Sequence, residues 1–196
     1  GRDPWGVYRD RRLIGNSQAD PCSDALKRKI TARWLKTQPA GTLVFGIDWT
    51  EPQRLVGLRK RYGAMGYEVE APMCDSPYLL KNDVLAWMRR EGVEPPRLYA
   101  MGFAHNNCGG FCCRAGIGHF KMLLRVMPER YARHEAKEQE MREFLGKDVS
   151  VLRDRTVDDT KPLTLRALRE RVQSGDRTLD LFDDEIGGCG CFVEAE

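Results

Sequence analysis

No stretch of this chain approaches the roughly 18 consecutive apolar residues that a membrane-spanning helix needs. No short charged segment followed by an apolar run marks a secretory signal either, so the expected location is the cytoplasm, with no membrane partner. Histidine is scarce, at three residues in 196, and the formal charge of +3 is too small to argue for a nucleic-acid partner on composition. Internal repeats and low-complexity linkers are absent as well, which excludes solenoids and long tethers. What remains is a chain 41% hydrophobic and 31% charged, the balance of a globular protein long enough to bury a core.

Cysteine, by contrast, is plentiful. Seven occur without a secretory signal, which favours metal or redox chemistry over a disulfide framework. Four lie in two tight pairs, Cys108-Gly-Gly-Phe-Cys112 and Gly187-Gly188-Cys189-Gly190-Cys191. Glycines beside each pair let the backbone bend until several sulfurs converge. Four thiolates satisfy a tetrahedral zinc ion or an iron–sulfur cluster, and either would staple the tail to the middle of the chain. The spacing matches neither a two-CxxC zinc ribbon nor a ferredoxin run.

Residues 1–36 carry nine basic side chains against four acidic ones, a local excess that suits a phosphate-bearing ligand or a solvated basic face. The chain opens Gly1-Arg2-Asp3 without methionine. The expectation is a processed chain or a fragment whose upstream half, with further strands, precedes Gly1.

Periodicity predicts a helix over 23–38 with Ser23 as N-cap, carrying Leu26, Ile30, Trp34 and Leu35. A buried strand is expected at 42–47 and a second at 66–69. Between them Thr50 caps a helix with Pro52 in its first turn and Leu55, Leu58 and Tyr62 on its inner face. A helix over 83–90 ends at Gly92. Beyond Gly102 a Gly/Cys/Asn-rich loop over 105–118 leads to helices at 119–126, 128–145 and 164–172, with a short strand at 149–152. The fold class is therefore α/β, a partial parallel sheet with a helical, cysteine-bearing C-terminal extension. The expected division falls at 104, between an α/β part, 1–104, and the extension, 105–196.

Two segments carry candidate chemistry. Gly46-Ile47-Asp48-Trp49-Thr50-Glu51-Pro52-Gln53-Arg54 leaves a strand and enters a helix, the place where open α/β sheets bind ligands and helix N-termini favour anions. Asp48 and Glu51 equally complement the helix dipole there. In the second segment, Cys22-Ser23-Asp24-Ala25-Leu26-Lys27, Cys22 lies at a helix start, where a thiol's pKa falls, and Lys27 opens a basic run that an anionic partner or solvent would satisfy.

Together, Cys22-Ser23-x-x-Leu26-Lys27 and Gly46-Ile47-x-x-x-Glu51-x-x-Arg54 resemble the phosphoadenosine phosphosulfate reductase family, within the PP-loop, or adenine-nucleotide α-hydrolase-like, ATP pyrophosphatases. The resemblance implies that Lys27 and Arg54 contact phosphate, with Asp48 beside them in the nucleotide site. It further implies that Glu51 orients Arg54 or a ligand, and that Cys22 is a catalytic thiol. The cysteine-rich part is similar to members that transfer sulfur to nucleic acids and carry a four-cysteine 4Fe-4S cluster. An adenine nucleotide, a nucleic acid and a sulfur-donor protein are the partners so implied. The family's Ser-Gly-Gly-x-Asp-Ser loop is absent from these residues, so ATP is expected as cofactor only where that loop is supplied upstream. Also absent is the Glu-Cys-Gly-Ile/Leu-His stretch of true sulfonucleotide reductases. The competing class is a non-catalytic, zinc-stabilised binding module or a remnant without the nucleotide loop.

For Cys108, Cys112, Cys189 and Cys191, ligation of a 4Fe-4S cluster, ligation of structural zinc and unliganded thiols are the three readings. Cys113 is expected to be a spare and Cys74 to be packing. His105 and His119 are either replacement ligands or bonded to loop carbonyls. His134, among Glu129, Glu135 and Glu138, reads as part of a solvated or salt-bridged face. Trp49 has core and adenine-stacking roles open to it.

Overall fold

The computed structural model describes residues 2–155 and 160–182. The fold is mixed α/β and 55% helical. In chain order the regular elements are α1 (Pro4–Arg11), α2 (Pro21–Ser23), a π-helical turn (Asp24–Arg28), α3 (Lys29–Leu35), β1 (Thr42–Val44), α4 (Pro52–Gly63), β2 (Glu68–Glu70), α5 (Lys81–Arg90), α6 (Arg97–Ala100), α7 (Ile117–Val126), α8 (Pro128–Leu145), β3 (Leu152–Asp154), β4 (Lys161–Leu163) and α9 (Leu165–Gln173). Among the described residues, no helix is long and apolar enough to cross a membrane.

Two compact units divide the chain, one of residues 2–27 and 96–182, the other of 28–95. The boundary differs from the expected one at 104. Trp5, Tyr8 and Ile14, in and just after α1, bury into the core of Leu98, Phe103, Phe111, Phe120 and Leu123, so the N-terminal segment belongs with the cysteine-bearing helices.

In the 28–95 unit, β1 and β2 pair in parallel, with Leu43 opposite Val69, and α4 connects them. Pro52 occupies the first turn of α4, and Leu55, Leu58 and Tyr62 are buried, as the periodicity predicts. Leu58 and Tyr62 pack with Leu35, Ile47 and Tyr67, whose hydroxyl donates to the Leu35 carbonyl at 2.6 Å. The strand expected at 42–47 is shorter and is not buried. Thr42 and Val44 are exposed, with only Leu43 partly covered. Thr50 does not cap α4; Glu51 holds the N-cap position, and Thr50 turns back onto Asp48.

In the other unit, Pro128 opens α8 and Gly146, at φ +61°, closes it. That left-handed cap is where glycine costs least. The Thr164 hydroxyl accepts from the Ala167 amide at the start of α9. β3 and β4 form an antiparallel pair, with Leu152 opposite Leu163. α1 and β4 were not legible in sequence, and β3 begins three residues beyond the expected strand. Ser23 is no N-cap either. Helix α2 starts two residues earlier at Pro21, and Ser23 is buried inside it.

Candidate functional site

The chain leaves β1 at Val44 and reaches α4 at Pro52, so the intervening loop sits at the carboxyl end of a strand in a parallel pair. That position suits ligand binding, because helix-start amides there have no intrahelical acceptor. Asp48 organises the loop: its Oδ1 accepts from the Thr50 amide at 2.9 Å and from the Thr50 hydroxyl. Glu51 Oε2 accepts from Arg54 Nη1 at 2.5 Å, one turn into α4. Only 13% of the Arg54 side chain is exposed, and its buried Nε has no hydrogen-bond partner among the described residues. A buried guanidinium donor without an acceptor costs on the order of 1–3 kcal/mol, which an arriving anion would recover. Trp49, within this loop, donates Nε1–H to the Leu79 carbonyl at 3.0 Å, with its ring 5.6 Å from that of Tyr78. Its indole is 36% exposed, so it is no core residue.

Asp48, Glu51 and Arg54 are thus brought together. Cys22 and Lys27 belong to the other unit, Lys27 within the π-helical turn that follows α2. Cys74 is half-buried beside the core of the 28–95 unit, and its thiol donates to the Ile47 carbonyl at 3.3 Å. That fits a packing role.

The first cysteine pair lies on a tightly curled loop. Cys108, Gly109 and Gly110 all have left-handed backbone, at φ +52°, +61° and +92°. A Cβ on Gly109 would lie 2.7 Å from Arg130 Nη2, and one on Gly110 3.3 Å from Leu123 Cδ1. Glycine at both positions therefore lets the backbone press against α7 and α8. Cys108 is exposed and Cys112 buried. Cys189 and Cys191 lie outside the described residues. Among the described residues, no three His, Cys, Asp or Glu side chains converge as a metal-binding group.

The His119 ring bonds through Nε2 to the Gly110 carbonyl at 2.8 Å, the structural role that competed with ligation. Burial pushes its pKa down. His105 stacks on it at 4.9 Å.

Three groups escaped the sequence reading. Cys113, expected to be a spare, brings its Sγ to 3.8 Å from that of Cys22, with the Tyr8 hydroxyl 4.0 Å from the latter. The contact with Cys113 is the main influence holding the Cys22 thiol down at about 7, while the bond to Cys22, together with burial, pushes Cys113 far up. His134 is not on a solvated face. It stacks on Phe111 at 3.9 Å and accepts from Trp5 Nε1 at 2.9 Å. Glu138, 1% exposed, accepts from the amides of Val151 and Leu165. Its one sequence signal is spacing, since Tyr131, Glu138 and Met141 share the buried stripe of α8.

Comparison of the chain with protein-family models, with curated proteins and with solved structures returns no match.

Proposed function

We propose that this chain belongs with the phosphoadenosine phosphosulfate reductase-like ATP pyrophosphatases and acts in adenylation-dependent sulfur transfer. In this reading the 28–95 unit is part of an adenine-nucleotide α-hydrolase-like sheet. The observation that carries it is Arg54: a largely buried guanidinium at the carboxyl end of a parallel strand, braced by Glu51 and retaining an unsatisfied Nε donor. A nucleotide phosphate supplies the acceptor that this donor lacks. Glu51 fixes the guanidinium plane, Asp48 holds the loop backbone, and the half-exposed Trp49 offers a face for the adenine ring.

Cys108, Cys112, Cys189 and Cys191 would hold a 4Fe-4S cluster, or alternatively zinc. Bound there, a cluster supplies redox chemistry and a docking point for sulfur, whereas zinc supplies cross-linking alone. ATP activation requires the Ser-Gly-Gly-x-Asp-Ser loop, which the present residues lack, so a nucleotide already carrying its sulfur or phosphate groups is the ligand to test. The acceptor of the sulfur is a small molecule or a nucleic acid, and a nucleic acid would reveal itself by steep salt dependence.

Calorimetric titration of the full chain, purified anaerobically, with adenosine bisphosphate and with ATP tests the assignment. Saturable binding of either nucleotide is expected. Heats indistinguishable from buffer for both would overturn it and leave the binding-module class.

A further inference from the structure

Cys22 and Cys113 stand 91 positions apart, yet their sulfurs are in contact at 3.8 Å, and both are thiols. Their surroundings differ in a way that divides labour. Cys22, the second residue of α2, is half-buried and keeps a face towards solvent. Cys113 is 2% exposed, set in the core beside Phe111, Ala115 and Ile117. The Tyr8 hydroxyl approaches Cys22 from α1, and its ring is held there by close packing. A Cβ on Gly15 would fall 2.7 Å from the Tyr8 oxygen. Cys22, the more exposed of the two, is therefore the sulfur that an incoming reagent reaches first, with the Cys113 sulfur and the Tyr8 hydroxyl lying against it.

We propose that Cys22 and Cys113 are a redox-active dithiol that a low-molecular-weight disulfide oxidises to an intramolecular disulfide, Cys22 attacking and Cys113 resolving. The Cys22 thiolate attacks one sulfur of the small disulfide, forming a mixed disulfide and releasing one thiolate. That thiolate takes the Cys113 proton. The Cys113 sulfur then attacks the Cys22 sulfur and expels the second thiolate, which is protonated by solvent. Two electrons and the Cys113 proton leave the protein, solvent supplies the second proton, and two small thiols are produced. A disulfide requires the sulfurs to reach about 2.05 Å, so they close by roughly 1.8 Å, a movement within reach of side-chain rotation. Closure would tie the start of α2 to the segment that follows Cys112. The pair shares Cys22 with the thiol that the family resemblance implies, but its oxidation requires neither Arg54 nor a bound phosphate.

Native protein is incubated with excess oxidised glutathione, remaining thiols are alkylated, and peptides are mapped by mass. A peptide joining Cys22 to Cys113 is expected, restored to two alkylated cysteines by dithiothreitol. In Cys113→Ser the reaction stops at glutathione attached to Cys22, and in Cys22→Ser position 113 stays a thiol. The wild-type map does not depend on either variant folding. Recovery of Cys22 and Cys113 both alkylated after oxidation, or of Cys22 joined to a different cysteine, overturns the proposal.

Discussion

The Glu138 carboxylate accepts a hydrogen bond from the Leu165 amide at 2.6 Å, across 27 positions of sequence. Its other oxygen takes the Val151 amide at 2.9 Å. One buried side chain of α8 thus fixes both the approach to β3 and the first turn of α9.

Burial pushes Glu138 up from the ordinary 4.5 to about 7, against the two amides that favour the ionised form. The folded chain therefore binds an extra proton between those values. This contribution to stability is fully present below about 4.5 and is lost as pH rises through 7. Urea unfolding of the native chain should lose on the order of 2–3 kcal/mol from this group between about pH 5 and pH 8. Glu138→Gln should remove that slope. It should also cost about 1–3 kcal/mol at the acid end, because an amide NH₂ then faces a backbone N–H. An unchanged slope in the variant would assign the pH dependence to other groups.

His134 behaves in the opposite sense. Burial, with Arg130 and Arg133 nearby, pushes it down to about 4, and the Trp5 indole donates to its neutral ring. Its stabilising contribution is present above the ordinary 6.5 and lost as pH falls through 4. Histidine NMR should find the His134 imidazole neutral at about pH 5. Trp5→Phe should raise that midpoint by removing the donor to the neutral form. A midpoint unmoved by Trp5→Phe would contradict the assignment.

Iron, sulfide and zinc analysis of anaerobically purified protein, with its visible spectrum, tests the cysteine site. A broad band with iron and sulfide is expected for a cluster. One zinc in a colourless protein would support the structural alternative. Gly110→Ala should lower retained metal and destabilise the chain by about 1–2 kcal/mol, because alanine at φ +92° meets the left-handed penalty as well as Leu123. Full metal content with unchanged melting in that variant would remove the loop from the site.

Local signals transmitted well. The period of Leu55, Leu58 and Tyr62, the proline at the start of α8 and the glycine at its end each act within a few residues, and each stands as read. Asp48, Glu51 and Arg54 were legible as one group because all three lie within one short stretch, from the loop into the first turn of α4. Partnerships across long separations were not. Nothing near Cys113 announces Cys22, and nothing near His134 announces Trp5 or Phe111. α1 was missed because its sequence, Pro-Trp-Gly-Val-Tyr-Arg-Asp-Arg, carries no apolar stripe, yet Trp5, Val7 and Tyr8 are all buried. Glu138 shows how a buried carboxylate hides in a charged helix: composition puts it outside, and only its place in the stripe of Tyr131 and Met141 puts it inside.

Arg54 carries the nucleotide proposal. Its direct test is the affinity of adenosine bisphosphate for the native chain and for Arg54→Ala, followed by quenching of Trp49 fluorescence. Loss of charge-assisted hydrogen bonds to phosphate should weaken binding by about 10- to 100-fold, roughly 1.4–2.8 kcal/mol, with the fold intact by circular dichroism. Equal affinity in the two proteins would contradict a nucleotide site in the loop between β1 and α4.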